Sequence, residues 1–196
     1  MHLKIPPGNF DGYIFDLDGT LVDTMPLHYI AWRDTFQEFG LNGVLDERLF
    51  YSLGGVPATQ VAAIFNDHHE TDYDPAALRD TKELKFALHL ASASLIGPVV
   101  DFARQVAKTR PVSVASGGPR DLVLQTLEVK GLASLFPVVV TANDVVHGKP
   151  APDTFLLAAK RMGVSPAGCL VFEDAEFGIQ AAEAASMQWV RVVTQV

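Results

Sequence analysis

Residues 15–23 read FDLDGTLVD and place two carboxylates, Asp16 and Asp18, two residues apart where an apolar run ends. The preceding residues 13–15 predict a short buried strand, and alternation along a strand sends both acids to one face. Gly19 then permits a sharp turn that leaves them at the strand end. The two carboxylates repel each other unless a cation lies between them, so the spacing suggests a divalent metal with oxygen ligands. An aspartate in this position can attack phosphorus.

A simpler interpretation is an Asp-rich turn after a strand, because Asp and Gly are common turn formers. A bare D-x-D-G does not decide between the two. The longer string, with Thr20 and a third acid at Asp23, is more specific.

Composition limits the possible partners. The 196 residues are 48% hydrophobic, which is enough to bury one sizeable core with a small accessory domain inserted into it. The formal net charge of -8 offers no broad basic surface for nucleic acid or anionic lipid. We therefore expect no nucleic-acid partner, and our default expectations are a small-molecule substrate and a monomer.

Cys169 is the only cysteine, which excludes an internal disulfide and a cysteine-rich zinc site. It lies in an apolar run, where a small buried hydrophobe is the simpler interpretation. The first residues lack a basic segment followed by an apolar stretch, and no run approaches the ~18 apolar residues of a membrane span. The default expectation is a cytoplasmic protein without membrane contact.

The sequence pattern changes twice along the chain. Residues 25–95 show helical apolar spacing and no convincing strand, whereas the part from residue 97 onward alternates strand and helix. Strands are expected at 13–15, 112–115, 138–140, 169–172 and 189–193, with helices starting near Gly97, Pro119, Pro152 and Ala175. This pattern is typical of a parallel sheet covered on both faces, with an all-helical cap inserted after the first strand. We expect a core of residues 1–24 and 96–196 and a cap of residues 25–95.

Ligands of such sheets gather beyond the carboxyl ends of the strands, and two polar groups stand there. Ser116 and Gly117 follow the strand at 112–115; the glycines leave backbone N–H groups open to an anion at a helix start. The alternative is an ordinary helix cap. Lys149, between Gly148 and Pro150, can neutralise an Asp nucleophile and a phosphate together. Its alternative is a surface lysine in a loop.

A third group, Glu173 and Asp174, closes the strand at 169–172. With Mg²⁺ these acids would complete an oxygen-rich site beside Asp16 and Asp18. The local alternative is an acid pair at a helix N-terminus, which also favours the helix dipole.

Taken together, these groups resemble motifs I to IV of the haloacid dehalogenase superfamily, in order and in context. The resemblance covers essentially the whole chain: the helical insert matches the family's C1 cap, and residues 172–187 resemble the fourth motif of the β-phosphoglucomutase-like branch. Within that branch the chain is most similar to the fructose-1-phosphate phosphatase-like proteins. The resemblance implies an α/β fold with a Rossmann-like three-layer core and a small all-helical cap.

The resemblance also implies a mechanism. Asp16 would attack the phosphoryl group, and Asp18 would protonate the leaving oxygen and later activate water. Mg²⁺ would be held by Asp16, the Asp18 carbonyl and Asp174, with Glu173 as a direct or indirect partner. The phosphate-binding residues would be Ser116, Gly117 and Lys149.

In the cap, the resemblance implies that His28 contacts substrate or assists Asp18, and Gly55 and Lys82 are further candidates for substrate contact. A structural histidine and an exposed helix lysine are the alternatives for His28 and Lys82, and Trp32 and Phe36 are expected to be packing residues. Mutases of the branch carry a lysine and an arginine around the loop that corresponds to residues 53–58, where this chain has Gly54 and Ala58.

Without those cations, a second phosphate would lack its clamp. We therefore expect a Mg²⁺-dependent phosphatase of a small sugar phosphate or related metabolite rather than a phosphohexomutase. A catalytically idle binding or regulatory protein of the same fold is the alternative from another class.

Overall fold

The structure, a computed structural model, describes residues 3–193. Their contacts form two compact units: Thr24–Ala93 is one, and the residues up to Asp23 together with those from Ser94 onward form the other. The boundaries expected from the sequence, 24/25 and 95/96, stay a prediction for the domains. No helix in the described range combines the length and the apolar composition needed to cross a lipid bilayer.

Most strands of the larger unit lie where apolar runs predicted them. The strands are β1 (Gly12–Phe15), β2 (Val22–Asp23), β3 (Ser94–Leu95), β4 (Val112–Ala115), β5 (Val138–Val140), β6 (Cys169–Glu173) and β7 (Gln188–Arg191). Five of them form a parallel sheet in the order β5-β4-β1-β6-β7. Phe15 lies opposite both Val114 and Phe172, so the carboxyl ends of β4, β1 and β6 come to one edge of the sheet.

The smaller unit is helical in every regular element. Its helices are α1 (Met25–Glu38), α2 (Glu47–Ser52), α3 (Ala58–His69) and α4 (Pro75–His89), followed by a 3₁₀ turn at Leu90–Ser92. Trp32 and Phe36 of α1 are buried together with Phe65 of α3 and Leu78 of α4, which confirms both as packing residues. This unit therefore has an apolar core of its own.

Helices cover both faces of the parallel sheet. They are α5 (Gly97–Val106), α6 (Arg120–Val129), α7 (Asp153–Met162) and α8 (Glu176–Ala184). Helices α7 and α8 pack with Ile14, Val171 and Cys169 on one face. On the other, the Phe102 ring of α5 lies 5.0 Å from that of Phe172. This three-layer arrangement confirms the α/β fold class, and Cys169 is fully buried as expected.

Several elements differ from the sequence pattern. The last strand covers Gln188–Arg191 instead of residues 189–193, and β6 runs one residue further, to Glu173. Helix α2 was not predicted, because Phe50 is its only buried residue and leaves no apolar period to detect. Strands β2 and β3 form a two-stranded antiparallel ribbon of two residues each. Its pairing joins residues about 70 positions apart, so no local pattern reveals it.

Asp144 orders the segment between β5 and α7. Its carboxylate accepts hydrogen bonds from the N–H and hydroxyl of Thr141 at 2.9 and 2.8 Å and from Arg161 at 2.8 Å, and it pairs with Arg120 at 3.3 Å. Burial acts to raise the pKa of Asp144, but these hydrogen bonds outweigh it and lower the pKa to about 2. The carboxylate is therefore favoured in the folded state.

Gly178 lets α8 approach β6 closely. A β-carbon built at this position would overlap the Glu173 carboxyl group, whereas one built at Gly97, the first residue of α5, meets no atom within 4 Å. Glu173 itself is 1% exposed, so its side chain has no open space to move into.

We expect Gly178→Ala to destabilise the protein by about 2 kcal/mol, in the range of overpacked cores, because Glu173 must leave its position. Gly97→Ala is the matched control and should leave the free energy of unfolding unchanged or slightly higher. Urea unfolding measures both. Equal stabilities of the two variants would contradict the placement of Glu173 over Gly178.

Asp144→Asn should lower the free energy of unfolding by roughly 1–2 kcal/mol at pH 7. Because the folded pKa of about 2 lies below the usual value of 3.8, the wild-type advantage is complete above that usual value and declines as the pH falls toward 2. Urea unfolding between pH 7 and 2 should show a constant difference above about pH 4 and convergence of the two proteins at the acid end. Asp101→Asn, at an exposed pair with Arg104, is the control and should show no measurable loss. A pH-independent difference would contradict the assignment.

Candidate active site

The first two acids leave β1 through a tight turn. Asp16 is held by a backbone hydrogen bond from its N–H to the carbonyl of Phe172, at 3.0 Å. The Leu17 carbonyl accepts from the N–H groups of Leu21 and Val22, at 2.9 and 3.0 Å. Gly19 has φ of +79°, in the left-handed region that favours glycine. The turn thereby fixes Asp16 and Asp18 at the carboxyl end of the central strand.

Lys149 joins two of the predicted acids. Its Nζ lies 2.7 Å from Asp16 Oδ1 and 2.6 Å from Glu173 Oε2, and all three side chains are less than a tenth exposed. The ammonium also lies 4.8 Å from the ring centroid of Phe155, which closes its apolar side. The surface-lysine interpretation of Lys149 therefore does not hold.

Asp174 completes an acidic group with Asp16 and Glu173, whose ligand oxygens all lie within 4.8 Å of one another. Its Oδ1 accepts a hydrogen bond from the buried hydroxyl of Thr20, at 3.1 Å. A β-carbon at Gly19 would overlap the Asp174 carboxylate, so this position also provides space for the acid. The turn after β1 thus both positions Asp16 and provides the space that Asp174 occupies.

Negative charge at this edge exceeds positive charge. Burial raises the pKa of Asp16, Lys149 opposes that rise, and Asp18 adds to it. Burial, followed by the charge of Asp16, raises the pKa of Glu173 to about 8 and that of Asp174 to about 7. Burial disfavours the charged form of Lys149, but Asp16 and Glu173 outweigh it and raise its pKa. Three buried acids thus lie near one ammonium, which contacts two of them, Asp16 and Glu173.

The donor set fits a hard divalent cation. Clustered carboxylate oxygens are the ligands that Mg²⁺ prefers, and a cation would relieve the excess negative charge. Glu173 differs from the other two acids: its Oε2 accepts from Lys149 and its Oε1 from the Ala175 N–H, at 3.1 Å. Each of its oxygens already has a partner, although one of them also lies within 4.8 Å of a carboxylate oxygen of Asp16 and of Asp174.

Ser116 and Gly117 follow β4 at the same edge. The Ser116 N–H donates to the Val140 carbonyl at 3.0 Å, and its buried hydroxyl oxygen accepts from the Gly118 N–H at 3.0 Å. That bond precedes α6, so Ser116 is not a cap of the first helical turn. A β-carbon on Gly118 would lie 3.9 Å from Asp18 Oδ2, which places the Asp18 carboxylate opposite this turn.

The cap residues fall into two places within the helical unit. His28 stacks on the Phe86 ring at 3.9 Å, and Lys82 Nζ lies 5.2 Å from the same ring and 5.8 Å from Trp32. Lys82 is 6% exposed, so the expectation of an exposed helix lysine is wrong. Gly55 lies in the turn between α2 and α3 with φ of +82°, which accounts for a glycine at that position on conformational grounds.

Two contributors were not identified as such from the sequence. Thr20 was part of the quoted stretch, but its contact with Asp174 spans 154 positions and has no local signal. Gly178 did have a signal, since a glycine inside a helix often marks a close approach.

Comparison with known proteins gives the family. The family model described as haloacid dehalogenase-like hydrolase matches residues 13–192. The fructose-1-phosphate phosphatase YqaB of Escherichia coli strain K12 is 42% identical over 184 residues, which cover 93% of this chain and 96% of that protein. Validoxylamine A 7'-phosphate phosphatase of Streptomyces hygroscopicus subsp. limoneus is 31% identical over 188 residues, covering 92% and 84%.

A solved structure is similar to this chain over most of its length. The crystal structure of CbbY from Rhodobacter sphaeroides in complex with phosphate superimposes with a TM-score of 0.82 at 25% identity, covering 92% of this chain and 84% of that one. The motif order, the strand-end acids and these relatives agree, and the chain belongs to the haloacid dehalogenase-like hydrolases.

Proposed function

We propose that this hydrolase removes phosphate from a small sugar phosphate such as fructose 1-phosphate, using Mg²⁺ and an aspartyl-phosphate formed on Asp16. The observation that carries the proposal is the buried bridge of Lys149 between Asp16 and Glu173, with Asp174 in the same group. The 42% identity to a fructose-1-phosphate phosphatase supports the substrate class.

In the first step an Asp16 carboxylate oxygen forms a bond to phosphorus while the bond from phosphorus to the sugar oxygen breaks. Asp18 gives its proton to that leaving oxygen. In the second step Asp18 takes a proton from water, the water oxygen bonds to phosphorus, and the bond to Asp16 breaks to release inorganic phosphate. Asp18 is thus acid first and base second.

The surrounding groups position the phosphoryl group and neutralise its charge. Ser116, the Gly117 N–H and Lys149 would contact its oxygens, where fixed donors contribute most when water is excluded. Bound Mg²⁺ would polarise the phosphoryl group and offset the negative charge of the site. Asp16, Asp174 and the Asp18 carbonyl would hold it. Glu173 is better suited to fix Lys149, since both of its oxygens are already engaged.

We further propose residues 25–95 as the substrate-selecting cap, with His28, Gly55 and Lys82 as its contacts. Gly54, in the turn before α3, and Ala58, the first residue of α3, stand where the mutases of the branch carry cations. A bisphosphate would find no distal clamp there, which favours hydrolysis over intramolecular phosphoryl exchange.

Asp16→Asn tests the nucleophile. With Mg²⁺ and fructose 1-phosphate we expect phosphate release to fall by at least roughly a thousandfold, as when a covalent nucleophile is removed. The fold should survive, because Lys149 keeps its contact with Glu173. Asp11→Asn makes the same chemical change at an exposed surface pair and should retain full activity.

A screen of phosphate release from sugar phosphates, phosphoglycolate and nucleotides can contradict the proposed function. Phosphate release that persists in Asp16→Asn would overturn the nucleophile, and a flat profile would overturn the sugar-phosphate assignment. Conversion of glucose 1-phosphate to glucose 6-phosphate faster than hydrolysis would establish a mutase instead.

Lys82→Met tests the cap assignment. If Lys82 contacts substrate, KM should rise about tenfold or more with kcat nearly unchanged, as expected for loss of uniform binding. Urea unfolding of the same variant separates a loss of substrate binding from a loss of stability. Lys85→Met, on the same helix at an ion pair with Glu38, should leave KM unchanged. An unchanged KM in Lys82→Met would show a structural role only.

A further inference from the structure

Arg191 ends β7 directly beside the acid strand. In the sheet register it lies opposite Glu173. Its side chain reaches the turn between β6 and α8: Nη1 donates to the carbonyl of Asp174 at 3.3 Å, and Nη2 donates to Glu176 Oε2 at 2.6 Å. No sequence motif marked this residue.

The two prongs of the guanidinium thus hold both sides of one turn. Nη1 binds the main-chain carbonyl of Asp174, and Nη2 binds the side chain of Glu176, the first residue of α8. A planar, rigid fork suits such a bridge better than a single ammonium does. The adjacent Val192 N–H adds a backbone bond to the Glu173 carbonyl, at 2.8 Å.

Asp174 is consequently held at both ends. Thr20 binds its carboxylate at 3.1 Å, and Arg191 binds its main-chain carbonyl. The direction of a carboxylate follows the backbone that carries it. Loss of the Arg191 contact would therefore loosen the backbone at Asp174, and loss of the Thr20 contact would loosen its carboxylate. A metal ligand that must be ordered on binding costs conformational free energy.

We propose that Arg191 is a positioning residue for Asp174 and sets the divalent-metal affinity of the site, an inference that rests on the function proposed above. It acts through the backbone of Asp174, without contact to metal or substrate. Groups that orient metal ligands in this way typically contribute 10- to 100-fold in affinity.

The test titrates Mg²⁺ and Mn²⁺ into the metal-free full-length chain by calorimetry, with Mn²⁺ binding repeated by electron paramagnetic resonance. Arg191→Met should weaken binding of both ions by roughly tenfold, and Arg191→Lys, which keeps the charge but loses the fork, by an intermediate factor. Neither measurement needs turnover.

Arg161→Met is the matched control. Arg161 makes the same kind of bridge, from the Val139 carbonyl at 3.0 Å to Asp144 at 2.8 Å, and its side chain is 39% exposed against 40% for Arg191. A merely structural loss should lower the free energy of unfolding in both methionine variants. We expect metal affinity to change by less than about twofold in Arg161→Met, well below the 10-fold effect of a group that orients a ligand.

Each outcome of these titrations supports or overturns the positioning role of Arg191. If the wild type binds both ions and Arg191→Met binds them equally well, the positioning role is overturned while the proposed metal site stands. If the wild type binds neither ion, the metal site fails and the inference fails with it. If Arg191→Met does not fold, Arg191→Lys takes its place, and unchanged affinity in that variant overturns the role.

Discussion

The buried contact of Lys149 with Asp16 and Glu173 determines much of the arrangement around it. Removing two carboxylates from water is unfavourable unless a counter-charge lies within hydrogen-bond distance, and the lysine supplies it from a loop that follows another strand. The charge is still unequal, because Asp174 joins the same group. The proposed nucleophile, Asp16, therefore lies where one cation is already present and a second is favoured. This combination suits attack on a phosphoryl group, whose own negative charge would otherwise be repelled.

Space is the second constraint. Gly19 and Gly178 lie where any β-carbon would overlap the carboxylates of Asp174 and Glu173. The turn after β1 and the first turn of α8, far apart in sequence, are therefore both shaped by acids on β6 and just beyond its end. Packing and electrostatics cannot be separated here: the close approach that buries Glu173 is also what brings it to Lys149. A small change in volume at either glycine acts on the charges as much as on the core.

The sequence predicted the sheet better than it predicted the cap. Strands buried on both faces read as continuous apolar runs, so β4 and β5 were expected with their observed bounds. Because ligands of a parallel sheet gather at its strand ends, Asp16, Lys149 and Glu173 were also expected to lie together. Helix α2 and the β2–β3 ribbon were not predicted. Helix α2 has six residues and each strand of the ribbon has two, which is too short for a hydrophobic period to be detected. The burial of Lys82 was also missed, since an aromatic setting formed by Trp32 and Phe86 depends on how α1 packs against α4.

Charge also limits what the site can accept. The chain carries a net charge of -8, so general attraction does not bring an anionic substrate to it. Lys149 is shared by two carboxylates and has limited capacity for the phosphoryl group alone, which makes a bound divalent cation part of the proposed substrate site. A second phosphate would need cations of its own, whereas Gly54, in the turn before α3, and Ala58, the first residue of α3, carry no charge. A substrate with one phosphate and an uncharged body matches this distribution, and water is then the expected acceptor, because Gly54 and Ala58 supply no charge to hold a second phosphate.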